Sequence, residues 1–572
     1  MRADGQRADP TFCKLHWIAV AAAVVLAGVA ACSRGPDTNG ASASSQGGSA
    51  SGDATGTRVA SPQGAIDTNA TLLRGAGAEP DSLDPQKARS VESQGILRDL
   101  CEGLTTLDKS AGVAPGVASD WSVSPDGKTY TFKLRTDARW SNGDRVVAAD
   151  FVAALRRLVD PSTGSSYSQV IDVIANVGDI VAGKKAPDTL GVAAPDDATV
   201  VIRLATPAAY LPSLVSHTST CPVHRPTLAQ HPAELAKPGV MVSNGAFVLK
   251  EWVQGSHILV TRNHHYWNDA ATRLAAVKYL LIPDENAELT RYRADELHAT
   301  HVVPRGQFDW IQANLAAELH IAPQLDTYFY GFNLNRAPFK DNPGLRRALS
   351  MVIDRDRLAH SVLRVGELAA YGWIPPGVSN YSSQSFDYRE MPVADRIAEA
   401  RRLYAQAGYS TSKPLTFELR YNAGEVHDKL AVAVASMWKE ALGVQASLAA
   451  VEFKSLLQDI DRGDVEMFRS SWLGDYNDAY TFAQYFKSDF GINQPHYRSA
   501  EYDSLIGAAS LEIDAARRRE SLQAAERVML RDHPVIPLYF YVNKHLVKPE
   551  VDGWYDNVMD VVYSKHLALR AR

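Results

Sequence analysis

The sequence predicts an α/β fold of at least two lobes, and three observations lead there. Strand-like and helix-like runs are interspersed along the chain, no 20–50-residue repeat is visible, and about 500 residues remain once an unusual amino-terminal stretch is set aside. A length of that order corresponds to two or three domains with sizeable cores.

The runs are read in chain order. Tyr130, Phe132 and Leu134 alternate with polar residues, the period of a half-buried strand, and Pro125-Asp126-Gly127 supplies a turn between this run and a strand-like run before it. The stretch Asp150 to Pro161 is a short helix that its proline ends, and Thr199 to Leu204 is a further strand. Residues 345–363 read as one helix with Leu345, Leu349 and Val352 on one face. A last helix, from Glu425, carries Val426, Leu430, Ala433 and Met437 on one face and stops at Gly443, a natural residue just past a helix end.

The amino terminus is different in kind. Scattered charge (Arg2, Arg7, Lys14) precedes an uncharged apolar run from Ile18 to Ala31, too short to span a bilayer and of the length of a signal-peptide core. It ends Val29-Ala30-Ala31-Cys32, which resembles the bacterial lipobox, where cleavage precedes a cysteine that is then acylated. From Ser33 to Ala70 the chain is mostly Ser, Gly, Ala, Thr and Asp, too poor in apolar surface to offset its ordering entropy. The reading is a signal peptide over 1–31 and a lipidated Cys32 at the head of a flexible linker, 32–70. Ser33 is not the aspartate that retains lipoproteins at the inner membrane of enteric bacteria, so either membrane of the envelope is open as the anchoring site. The net charge is −6 and basic residues are not clustered, so no nucleic-acid footprint is expected. With Cys13 removed and Cys32 acylated, Cys101 and Cys221 remain, either as two thiols or as a bridge, and too few for a metal site.

Motif order carries more than any single motif. In sequence come EPDSLDP (79–85), EGL (102–104), a block from Trp121 to Pro161 with SPDGKTYTFKLR and WSNGD, and LGVAAPDDATVVIRL (190–204). There follow VSNGAFVL (242–249), RNHHYWND (262–269), RYRADEL (291–297), FNLNRAPFKDNPGLRRALSMVIDR (332–355), WLGDYNDAYTF (472–482) and VIPLYFYVNKHLVKP (535–549). Colinear from about 71 to 565, these resemble the peptide-binding family of ABC-importer solute-binding proteins, of the oligopeptide- and murein-peptide-binding type. The resemblance implies a two-lobed Venus-flytrap fold with three domains: a discontinuous domain I (71–104, 226–326 and 543–572), an inserted domain II (105–225) and a second lobe, domain III (327–542), closing by hinge motion. It also implies a Cys101–Cys221 disulfide, capture of oligopeptides or murein peptides for an ABC permease, a monomer in the periplasm or cell envelope, and no cofactor.

A receptor for many peptides has to grip their constant parts, the backbone and the two charged ends. By the resemblance, Asp475 takes the ligand's amino terminus, its alternative being an exposed turn acid, while Ser471 and Leu473, alternating with Trp472, offer backbone groups and Val91 lies on a facing strand. Asp478 reads as the cap of the helix that follows. Arg469 and His427 fall where the family places basic residues near the ligand's carboxyl-terminal half, and Phe453 where relatives cover a ligand side chain. Their alternatives are an inter-lobe salt bridge for Arg469, a surface histidine for His427, and core packing for Phe453 and Trp472. Two departures stand out: Arg89 replaces an acid of the oligopeptide receptor, and His298 replaces an aspartate.

Two other classes compete. For an enzyme, no G-x-S-x-G, H-E-x-x-H, Walker or G-x-G-x-x-G pattern lies in a suitable context, and His264-His265 and the pair His298, His301 lack further metal ligands. For a nickel, haem or opine receptor of the same fold, or a peptide-sensing chaperone, the GDYND loop is the discriminator, because it argues for a free amine on the ligand. The anchor itself is tested by Cys32→Ala. That variant should remain unprocessed or lose tight membrane association on fractionation, and a matured, membrane-bound variant would refute the anchor.

Overall fold

The computed structural model describes residues 65–571. The stretch read as a signal peptide (1–31), Cys32 and the expected linker as far as residue 64 lie outside the described residues. The linker read to Ala70 ends sooner, because Ala571 N–H donates to the Ala65 carbonyl (2.8 Å) and Asp67 N–H to that of Leu569 (2.9 Å). Among the described residues, no helix is long and apolar enough to cross a membrane.

Three sheets organise the chain, each with its own apolar core. The first orders Thr71–Gly75, Ala276–Leu280, His257–Arg262 and Phe247–Val253. Its core joins Leu72, Phe247, Ile258, Val260 and Val277 to Ile96 and Leu97 of the helix Val91–Leu100. The second orders Ala118–Val123, Thr129–Leu134, Thr199–Arg203 and Val192–Asp196. Here the alternation read from the sequence holds, with Tyr130, Phe132 and Leu134 all buried, and the turn before them places Gly127 at φ +67°, a left-handed conformation that favours glycine. The helix Ala148–Val159 covers this sheet through Phe151, Leu155 and Leu158.

The third and largest sheet orders Leu368–Ala369, Val535–Leu546, Leu319–Phe332, Met467–Leu473, Thr416–Asn422 and Gln445–Val451. Its two longest strands run antiparallel from Leu319↔Leu546 to Gly331↔Val535, with register shifts between Pro323 and Thr327 and between Tyr328 and Phe329. A proline stands at each shift: Pro323 borders the first and Pro537, opposite Phe329, the second. Lacking an N–H, proline is tolerated in a sheet at such irregular points. The Leu546 end of this pair is stitched to the first sheet through Ala299, which bridges both Arg74 and Val547. Both expected boundaries between domains I and III, 326/327 and 542/543, fall inside these two continuous strands.

Two local expectations need correction. The run 345–363 is not one helix: Pro343–Met351 gives way to a short turn Arg355–Arg357 and then a wider π turn over Leu358–Leu363. The cause is Arg355, fully buried, whose guanidinium donates to the carbonyls of Ser350 (3.0 Å) and Pro537 (2.8 Å), while Asp354 caps the next turn through Arg357 N–H (2.9 Å). A continuing helix would need that Ser350 carbonyl for itself. The segment at Val91 is not a strand either, as described below. The helix Glu425–Leu442 does end at Gly443, at φ +76°.

Cys101 and Cys221 form a disulfide with a Cα separation of 6.1 Å, both buried, across the two ends of the segment carrying the second sheet. Thiol titration of denatured, unreduced mature protein should therefore find neither sulfur free. Replacing both by alanine should lower the unfolding midpoint, with a loss of up to ~4–5 kcal/mol, the chain-entropy value for a loop near 120 residues. Equal unfolding midpoints in urea, with and without the bridge, would contradict this.

Candidate functional site

The strand Met467–Leu473 is paired along its whole length on one edge only. On one side it matches Leu319–Phe332 from Asp326↔Leu473 to Phe332↔Met467. On the other, Thr416–Asn422 reaches it only at Leu419↔Met467 and Arg420↔Phe468. From Arg469 to Leu473, about 17 Å of strand, that edge has no strand neighbour among the described residues. In an antiparallel ladder alternate residues turn their N–H and C=O away from the partner, so this edge presents groups that can pair with another extended chain. Trp472 points the other way. Its indole N–H donates to the Thr481 carbonyl (2.8 Å) and its ring packs on Tyr485 (4.9 Å), so its side chain anchors the strand, while its backbone groups turn toward Thr327 and leave the edge to Arg469, Ser471 and Leu473.

Asp475 follows directly. Gly474 makes the turn, donating to the Leu325 carbonyl (2.7 Å) in a space where a Cβ would meet Thr481 and Phe482 at 2.9 Å. The Asp475 N–H donates to Thr481 Oγ1 (3.2 Å), leaving its exposed carboxylate within electrostatic reach of Asp172 and Tyr167 from another part of the chain. Crowding by the surrounding protein, helped by Asp172, pushes the Asp475 carboxyl up to about 6, and burial raises that of Asp172 too. The next residues are clamped. The Tyr210 ring lies between those of Tyr476 (4.8 Å) and Tyr480 (5.2 Å), and Asn477 Nδ2 donates to the Ala111 carbonyl (2.8 Å). Asp478 does cap the following turn, accepting from Tyr480 N–H (2.8 Å), and also binds Arg518 through both oxygens (2.7 and 2.8 Å).

Arg469 is buried, 8% exposed, with its guanidinium 4.5 Å above the Tyr328 ring. It donates to Asn422 Oδ1 (3.1 Å) and to the Tyr541 hydroxyl (3.3 Å), and makes no ion pair within 4 Å among the described residues. His427, in the first turn of its helix, stacks on Tyr328 and shares a hydrogen bond with its hydroxyl (3.1 Å). Burial and the neighbouring Arg469 and Arg305 push its imidazole down to about 3, so the expected basic residue is neutral. Ser471, opposite Tyr328, is the edge residue between Arg469 and Leu473.

The remaining expected residues lie elsewhere. Val91 is 64% exposed and opens the helix Val91–Leu100, whose cap Ser90 accepts from Ser93 N–H (3.1 Å). That cap explains the departure from a strand: the serine carbonyl and side chain engage the first helical turn. Two further contacts tie this helix start to Tyr167, whose hydroxyl donates to the Arg89 carbonyl (3.1 Å) and accepts from Gln94 (3.1 Å). Arg89 itself is exposed and pairs with Asp81 (3.3 Å). Half-buried Phe453 opens the helix Phe453–Arg462 and enters no aromatic pair among the described residues. Sequence reasoning missed Tyr167, Asp172, Tyr210 and Asp326. Only Asp326 left a signal, since Asp326, Tyr328 and Tyr330 put polar groups on one face of an otherwise apolar strand.

The raised Asp475 carboxyl has a consequence for stability. The folded protein holds this proton more tightly than the unfolded chain does, so ionising it costs stability as pH rises from about 4 to about 6. Asp475→Asn should melt no lower than the wild type at pH 7.5, with any gain gone by pH 4. A variant melting several degrees lower at pH 7.5 would refute an uncompensated carboxylate here.

Comparison with known proteins now adds to this geometry. Residues 112–494 match the bacterial extracellular solute-binding proteins, family 5. The chain is 38% identical over 501 residues to the periplasmic oligopeptide-binding protein of Salmonella typhimurium, covering 87% of this chain and 92% of the relative. It is also 38% identical over 497 residues to a probable deoxycholate-binding periplasmic protein of Escherichia coli, at 86% and 92% coverage. Among solved structures, the unliganded open form of a periplasmic murein tripeptide binding protein superposes with a TM-score of 0.86 at 36% identity, over 89% of this chain and 99% of that one. The Haemophilus influenzae oligopeptide-binding protein in complex with RPPGFSPFR, also 36% identical, scores 0.65 over 89% and 100%. The mixed α/β architecture, the unpaired strand edge and these matches together place the chain in the peptide-binding family of ABC-importer solute-binding proteins.

Proposed function

We propose that this protein is an extracytoplasmic, lipid-anchored receptor that binds oligopeptides and passes them to an ABC permease. The unpaired edge of Arg469–Leu473 carries this reading, because it offers a peptide backbone a partner and ends at a carboxylate with no counter-charge. The ligand would add a strand along 469–473, with its amine at Asp475 and its carboxyl-terminal part toward Arg469. Val91, Arg89 and Tyr167 would face it from the other lobe. The domain limits given above and closure about the two long strands belong to this proposal, as does anchoring through Cys32.

Murein peptides, which present an amine and a backbone as well, are equally compatible with the edge and Asp475. A steroid acid such as deoxycholate has neither an amine nor a peptide backbone, so nothing in the open edge favours it. A catalytic reading finds no support in the named groups, since neutral His427 contacts Tyr328 and not a nucleophile.

The test is isothermal titration with a free and an N-acetylated tripeptide on wild type and Asp475→Asn. Removing one member of a desolvated charge pair costs about 3–5 kcal/mol, a loss of two to three decades or more in affinity. Wild type should bind the free peptide and reject the acetylated one, and Asp475→Asn should bind the free peptide far more weakly and discriminate less. Equal affinity of wild type for both ligands would remove the amine-recognition claim.

A further inference from the structure

Opposite Leu473, at the Asp475 end of the open edge, a second carboxylate shares a face of the sheet with Arg469 without touching it. Asp326 and Arg469 lie on one face of the sheet, in the register pairs Asp326↔Leu473 and Tyr330↔Arg469, four residues or about 13 Å apart along the strands. Arg469 bridges part of that distance by lying over Tyr328, the residue midway between them. It stops short, and no ion pair forms within 4 Å. Asp326 Oδ1 and Arg469 Nε are both buried without a hydrogen-bond partner, and so is Nδ2 of Asn543, two residues along the neighbouring strand from Tyr541. Tyr541, which accepts from Arg469, also feels the Asp326 charge, so the three strands converge on one polar space.

Opposite charges that share a partly buried space ordinarily close into contact, because each unpaired buried atom loses its hydration. Here strand register holds them apart, and the orphaned atoms define what would complete the space: one group that accepts from Arg469 and another that donates to Asp326. Burial pushes the Asp326 carboxyl up to about 7 despite the opposing pull of Arg469, as expected for a carboxylate lacking a close cation.

We propose that Asp326 and Arg469 form a paired-charge subsite for a ligand residue bearing a carboxylate and a cationic side chain, the carboxylate on Arg469 and the ammonium on Asp326. The simplest such ligand is a peptide with a basic last residue, so this inference rests on the peptide reading and deepens it. Asp326 is then a specificity residue: a bare carboxylate would satisfy Arg469 and leave Asp326 buried and unpaired.

Titrations of Ala-Ala-Lys and Ala-Ala-norleucine into wild type and Asp326→Asn test this, with thermal melts to confirm that the isosteric variant is folded. Wild type should prefer the lysine peptide by on the order of ten-fold or more, the scale of one hydrogen bond to a charged group. Asp326→Asn should lose that preference while binding the norleucine peptide at least as well as wild type. No preference in wild type, or a preference that survives Asp326→Asn, overturns the subsite alone. Failure of wild type to bind either peptide overturns the subsite and the peptide reading together.

Discussion

The antiparallel pairing of Leu319–Phe332 with Val535–Leu546 is the constraint on which the rest of the structure depends. One end of the pair is stitched to the first sheet through Ala299, and the other forms the middle of the six-stranded sheet. Two strands that cross between sheets carry fewer ties than a packed interface, and theirs are interrupted at Pro323 and Pro537. Bending can then concentrate where ladder hydrogen bonds are already missing, while both flanking sheets keep their cores. The strand with the open edge is paired directly to one member of this pair, so in the proposed closure the site would move with the element that bends.

Electrostatics along the edge are divided in the same way. Asp475 ends the edge facing Asp172, and Arg469 begins it facing aromatic rings and a neutral histidine. Neither charge is neutralised within the protein, and that is affordable only where water or a ligand reaches them. Two buried carboxylates away from the edge are met differently: Glu102 accepts from Tyr266, Trp267 and Lys565 at 2.5–2.8 Å, and Glu526 accepts four hydrogen bonds from residues 373–384. The contrast between satisfied structural carboxylates and the unsatisfied pair at the edge separates framework from site.

The fold class was legible because period-2 and period-3.6 patterns survive wherever one face is buried, as in Thr129–Leu134 and Glu425–Leu442. Motif order made Asp475 and Arg469 legible as candidates. What failed to show had physical reasons. Val91 sits beside a serine cap, and a cap signal is easily read past when an extended segment is expected. The break after Met351 comes from Arg355 reaching carbonyls across the chain, a tertiary contact that no local pattern encodes. His427 has the residue type of a cation, but its charge is set by burial against Tyr328 and Arg469, which only the folded chain brings together. Asp172 and Tyr210 matter because they face residues some 270–300 positions away, a relation that spacing cannot reveal.

The Cys101–Cys221 bond has a mechanical side. It closes the roots of the segment that carries the second sheet, so a pull applied along the backbone passes from Cys101 to Cys221 through sulfur and bypasses the 120 positions of sequence between them. Fully drawn out, those residues would contribute roughly 400 Å of contour length, and the bond withholds all of it. Under tension the second sheet would keep its shape while the first and third gave way, like a knot that stays tied as the cord around it straightens.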